Sequence, residues 1–140
     1  MKVLIAVDGS PYTAKAVDYL ITHKEAFGSL PELACIHVST PLPLRAARAV
    51  GKDITDGYYA EEAQRATDAA LKAFEQAGLG AQLLTKRGDA GEEIARAADK
   101  GGFDMIVMGS HGHTALGSLV MGSVATRVLA SCKIPVLLVR

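Results

Sequence analysis

The chain has 140 residues, with 15 lysines plus arginines balanced by 15 aspartates plus glutamates, and 49% of its residues are hydrophobic. That balance excludes a global field favouring nucleic acid or an acidic membrane, and no apolar stretch is long enough to span a bilayer. The two cysteines, Cys35 and Cys132, fit neither a metal cluster nor a disulfide framework, so buried free thiols in a reducing cytoplasm are expected.

One domain over residues 1–140 follows from the length. Residues 2–7 form a short, continuously apolar, β-branched run, the pattern of a strand covered on both faces. It begins at the N-terminus with no leader-like segment before it. Ser10 then supplies an N-cap and Pro11 the first helical residue, and Ala14, Val17, Leu20 and Ile21 make the apolar stripe of the helix. A second strand is predicted over 33–38, holding Cys35 and His37, with His37 read as a satisfied core or rim histidine. Residues 39–56 read as a long polar, proline-containing connection, with Arg45, Arg48 and Lys52 as solvated charges on a short helical turn. A strong helix follows over 58–77, with Ala63, Ala66, Ala70 and Phe74 at helical spacing and Gly78 closing it.

Residues 81–87 are a more polar strand and therefore an edge. Asp89 caps a helix running to Asp99, Gly101 and Gly102 turn the chain, and residues 103–108 make the fourth strand. After a glycine-rich loop, Ser123 is expected to cap a helix that turns Val124, Val128 and Leu129 inward, and residues 134–139 give the fifth strand. Five alternations of strand and helix predict an α/β fold: a doubly wound, five-stranded parallel sheet of order 3-2-1-4-5 with helices on both faces. In that order the switch point lies between strands 1 and 4, where Asp8 and Gly109 would meet at the carboxyl edge.

The stretch over residues 108–123 carries the chemistry. It places Gly109-x2-Gly112-x9-Gly122-Ser123 between a strand and a helix N-terminus, where unpaired N–H groups favour anions. The alternative is a tight connection whose glycines serve only packing. It is neither a Walker A loop, which needs Gly-Lys-Ser/Thr, nor the dinucleotide fingerprint, which needs Gly-x-Gly straight after a strand. His111 and His113 stand one residue apart without a third ligand, so they read as polar loop residues near phosphate rather than a zinc site. Asp89 comes too late to be the phosphorylated aspartate of a response regulator, and the chain lacks the tryptophan and the Thr/Ser-rich loop of a flavodoxin.

The opening Val-Leu-Ile-Ala-Val-Asp-Gly-Ser, the pair His37-Val38, the glycine motif and the ending Ile134-Pro-Val-Leu-Leu-Val-Arg140 together resemble the universal stress protein family, in its ATP-binding branch. The resemblance implies adenine near Ala6, Asp8 and Val38, with Asp8 on the ribose. It implies Met108, Gly109 and Gly112 along the nucleotide, and amides of Gly122, Ser123 and Val124 on the phosphates. ATP is the implied ligand, with AMP and ADP fitting the same loop, and Mg2+ arrives on the phosphates. A homodimer through the last strand and an unknown protein partner are implied as well. Val124 stands where the family often has asparagine, a change of little effect if the backbone amide makes the contact.

The expected function is a nucleotide-dependent stress or signalling module. Slow or partner-dependent ATP hydrolysis is the alternative, and the loop, with no lysine or arginine, argues against fast turnover. A nucleotide-free dimeric interaction domain is the third. A side chain introduced by Gly122→Val is expected to meet the incoming phosphate.

Overall fold

A computed structural model describes residues 1–29, 31–113 and 120–140. Residues 114–119, inside the predicted glycine loop, lie outside it. The element order is β1 (Lys2–Ala6), α1 (Pro11–Thr22), β2 (Glu32–Ser39), α2 (Leu44–Val50), α3 (Lys52–Gln76), β3 (Ala81–Arg87), α4 (Ala90–Gly101), β4 (Met105–Gly109), α5 (Ser123–Ser131) and β5 (Val136–Val139). The sheet has the order β3-β2-β1-β4-β5, and every pair is parallel. The predicted topology is the observed one, and β3 is an edge.

The two faces of the sheet follow the alternation of side chains along each strand. Val3, Ile5, Leu33, Cys35 and Val107 point to a core completed by Ala16, Val17 and Leu20 of α1 and by Ala70 and Phe74 of α3. Leu4, Ala34, Ile36, Ile106 and Met108 point the other way, against Ile94 and Ala98 of α4 and Ala125 and Val128 of α5. Adjacent residues on the inner strands are thus buried on opposite faces, which is why those strands read as unbroken apolar runs.

Local chemistry sets the helix ends. The Ser10 Oγ accepts the Thr13 N–H at 3.3 Å with Pro11 at the first position of α1, and the Asp89 carboxylate accepts the Glu92 N–H at 3.0 Å to start α4. In α1 the inward stripe is Thr13, Ala16, Val17 and Leu20; Ala14 is exposed, a correction to the predicted face. In α5 the inward positions are Ala125 and Val128, three apart, so Leu129 rotates away and is exposed. The α5 N-cap is Gly122 rather than Ser123, which is already the first helical residue. Cys132 is half-buried instead of buried.

The connection over residues 39–56 is more ordered than its composition implied. Its alanines and arginines build α2, and α3 starts at Lys52, six residues earlier than the predicted 58. Gly51, at φ 85°, supplies the left-handed residue that separates the two helices. The Leu42 N–H donates to the Tyr59 hydroxyl at 2.6 Å, and Arg87 ties β3 to Asp56 at 3.0 Å while covering the Tyr59 ring. Long-range partners on α3 and β3 therefore fix a segment whose own sequence carries few structural signals.

Candidate ligand-binding cavity

At the carboxyl edge of the sheet, β1 and β4 are neighbours while their following loops run to opposite sides. A cavity of about 430 Å3 opens there, within the range of small-molecule sites. Its lining includes all nine predicted residues: Ala6, Asp8, Val38, Met108, Gly109, Gly112, Gly122, Ser123 and Val124. Ile36, Ala90, Ile94 and Ala125 add an apolar floor and wall. Sequence reasoning missed these four; Ala90 and Ile94 belong to α4, which reaches the site only through the tertiary packing of the sheet.

Asp8 is held in place by its own loop. Its Oδ1 accepts the Ser10 N–H at 2.9 Å and the Thr13 hydroxyl at 2.6 Å, while its own N–H donates to the Thr13 Oγ1 at 3.1 Å. Burial pushes the carboxyl pKa up, but the hydrogen bonds from Thr13 and Ser10 and the nearby His113 outweigh it and hold the group below the usual 3.8. The aspartate is therefore an anion whose other oxygen, Oδ2, lies beside Gly112. A Cβ built on Gly112 would stand 2.8 Å from that oxygen.

The other motif glycines are required by space, since none of the three takes a left-handed φ. At Gly109 a Cβ would stand 2.5 Å from the Tyr12 Cβ, so this glycine lets the first turn of α1 pack against β4. At Gly122 it would stand 3.0 Å from the Ser110 carbonyl oxygen and 3.2 Å from the His111 Cα. The Gly122→Val side chain thus also crowds the protein's own loop. The Gly122 N–H is likewise committed, donating to the Ser110 carbonyl at 2.8 Å. The first N–H bonded back within this end of α5 is that of Thr126, to the Gly122 carbonyl at 3.0 Å. Ser123, Val124 and Ala125 precede it, in the helix positions whose N–H groups have no intrahelical acceptor, and all three line the cavity.

The two loop histidines tie this edge together. His111 Nε2 donates to the Val120 carbonyl, which leaves Nδ1 to accept from the Ser110 hydroxyl at 2.9 Å. His113 Nε2 donates to the Asp8 carbonyl at 2.6 Å, joining the β4 loop to the β1 loop. Among the described residues no group of three His, Cys, Asp or Glu side chains could hold a metal ion. Arg45, Arg48 and Lys52 are exposed on α2 and the start of α3 and do not line the cavity. Arg127 is exposed too, with its guanidinium 3.9 Å from Glu92. The described lining contains no lysine or arginine. No described helix is long and apolar enough to cross a membrane.

The sequence pattern of the Universal stress protein family matches residues 1–140. The chain belongs to the universal stress protein family. Among relatives in that family, Universal stress protein MJ0531 of Methanocaldococcus jannaschii is 31% identical over 140 residues, covering 99% of this chain and 81% of its own. Universal stress protein YxiE of Bacillus subtilis is 29% identical over 150 residues, covering 99% of this chain and 98% of its own. The solved structure of the hypothetical protein MJ0577, from the same Methanocaldococcus, superposes with a TM-score of 0.80 at 29% identity over 99% of this chain and 94% of its own. A universal stress protein from Archaeoglobus fulgidus, solved in complex with dAMP, shares the fold with a TM-score of 0.70 at 20% identity, covering 100% of this chain and 98% of its own.

Proposed function

We propose that the cavity binds an adenine nucleotide, with ATP as the ligand, and that the chain acts as a nucleotide-dependent stress or signalling module. One observation carries this reading: a single cavity at the switch point has an anionic acceptor, Asp8 Oδ2, on one side and the N-terminal turn of α5 on the other. A nucleotide is a ligand with hydroxyl donors at its ribose and negative charge at its far end, and the two walls match those two parts. Ala6 and Val38, at the ends of β1 and β2, border the space assigned to adenine, with Met108 beside them. Asp8 takes the ribose hydroxyls. Ser123 and Val124 offer amides to the phosphates, while Gly109, Gly112 and Gly122 border the nucleotide in a loop whose packing leaves no room for side chains there. The phosphates bring Mg2+ with them, since magnesium binds through substrate phosphates more readily than through a protein cage.

Hydrolysis is slow in this reading. Phosphoryl transfer needs cationic stabilisation of the leaving and transferring groups, and the described lining supplies none. The strand β5 ends the sheet with four half-buried residues, Val136 to Val139. Pairing with the β5 of a second copy would cover them, and a monomeric mass in solution scattering would remove that dimer.

Calorimetric titration of nucleotide-stripped protein with ATP and Mg2+ tests the function. Saturable micromolar binding near one per subunit is expected, about −8 kcal/mol, with adenosine weaker because it lacks the phosphates. The Gly112→Ala chain, whose methyl must displace the Asp8 carboxylate, is expected to bind about tenfold more weakly and to unfold at a somewhat lower midpoint, since the carboxylate's bonds to Ser10 and Thr13 are disturbed along with its contact to the ligand. Absence of binding by the wild-type chain would overturn the proposal.

A further inference from the structure

Among the described residues the cavity is lined by neither lysine nor arginine, and it carries three histidines, His37, His111 and His113, beside Asp8. Imidazole is the side chain whose charge changes between about pH 5 and 8, so a positive side chain on this lining is a protonated histidine.

The three rings differ in what a second proton would do. His37 is buried, with Nδ1 at 2.9 Å from the Val7 carbonyl oxygen and Nε2 at 3.6 Å from the Glu62 carboxylate of α3. A charge there is answered by Glu62 and not by a ligand. His111 has both nitrogens committed, Nε2 to the Val120 carbonyl and Nδ1 to the Ser110 hydroxyl at 2.9 Å, so a second proton would have to displace the Ser110 hydrogen. His113 is exposed, and its Nε2 donates to the Asp8 carbonyl at 2.6 Å. A carbonyl only accepts, so Nδ1 is the nitrogen that takes the second proton, and taking it leaves the bond to Asp8 intact.

That bond holds the ring at the rim of the cavity, next to the aspartate assigned to the ribose. The groups around it are the Asp8 carboxylate from the loop after β1, His37 at the end of β2, His111 two residues earlier, and Glu62 and Arg65 of α3. Two carboxylates against one guanidinium leave these surroundings anionic on balance, which favours the protonated ring.

We propose that His113 sets how strongly the site selects for charge on its ligand. Protonated, it adds the cation that the described lining lacks and favours ATP over adenosine; neutral, it only ties the β4 loop to the β1 loop. This inference rests on nucleotide binding in the cavity. Its sign is fixed: discrimination grows as pH falls through the range in which imidazole titrates and fades above it. By linkage, bound ATP must in turn hold the proton on His113.

The test is calorimetric titration of the full chain with ATP and with adenosine, in excess Mg2+, at about pH 5.5 and about pH 8. The ratio of ATP to adenosine affinity is expected to be about fivefold larger at the lower pH than ATP's own protonation allows. His113→Gln measures that background, because it keeps a donor for the Asp8 carbonyl and cannot take a proton; it is expected to lack the gain. His113→Lys, charged at both values, is expected to show the high ratio at both. In the 15N-histidine-labelled chain, the His113 titration followed by NMR is expected to move to higher pH when ATP is bound. Equal pH dependence in wild type and His113→Gln, or a His113 titration that ATP leaves in place, would overturn the role of His113 while nucleotide binding stands. No binding of ATP by the wild type at either pH would overturn both.

Discussion

Asp8→Ala is expected to lower ATP affinity by about 10- to 100-fold while the chain stays folded. The Asp8 carboxylate is the anionic group at the switch point whose Oδ2 is left over after Ser10 and Thr13 have engaged Oδ1. Charge-assisted hydrogen bonds contribute about 1.5–3 kcal/mol each, and 1.4 kcal/mol is about tenfold in affinity. Calorimetric titration of wild type and variant, with circular dichroism to check the fold, reads the difference. Equal affinities would place the ribose elsewhere. The same carboxylate also leaves a mark on acid stability. Its folded-state pKa lies below the ordinary 3.8, so its contribution is fully present above that value and is lost as pH falls through the lowered one. Stability of the Asp8→Ala chain should accordingly fall less steeply than that of the wild type below pH 3.8.

Gly109→Ala carries the second large effect, and it is one of stability. The added methyl would stand 2.5 Å from the Tyr12 Cβ, 3.0 Å from the Tyr12 carbonyl carbon and 3.1 Å from the His111 carbonyl oxygen. Two of these three neighbours are backbone, so the strain cannot be relieved by turning a side chain. Overpacking of this kind costs about 1–3 kcal/mol, and the upper end is expected at a contact with helix backbone. The thermal midpoint should fall by about 10 °C for a chain of this size. A folded variant with an unchanged midpoint and weakened nucleotide binding would show instead that Gly109 serves the ligand and not the packing of α1.

These two residues also show how far the sequence could be read. The alternation of apolar runs and helical stripes was enough for the sheet order, because an all-parallel sheet with right-handed crossovers leaves few ways to place five strands. Asp8 was found from topology: an acidic residue at the end of β1, opposite a glycine loop, marks the switch point. The individual glycines were harder. Their spacing pointed to a loop close to a ligand, whereas the space each one leaves is filled by Tyr12, by the Asp8 carboxylate or by the Ser110 carbonyl. Spacing along a chain records that a side chain is forbidden but not which neighbour forbids it. The same limit explains the helix α2, whose anchors Tyr59 and Arg87 lie far along the chain. It also explains His37, whose burial was expected but whose unpartnered Nε2 depends on where α3 sets Glu62. Leu129 and Ala14 were misplaced because one helical turn holds more small or apolar residues than the core can receive.

Nucleotide is expected at the carboxyl edge between β1 and β4, with the α5 N-terminus on the phosphates. Amide chemical-shift mapping of the 15N-labelled chain with ATP and Mg2+ tests it most directly. The perturbed amides are expected to cluster at residues 6–8, at Val38, at residues 109–113 and at Ser123 to Ala125, with α2 and β3 unmoved. Perturbations confined to α2 and β3, or none at saturating ATP, would contradict it.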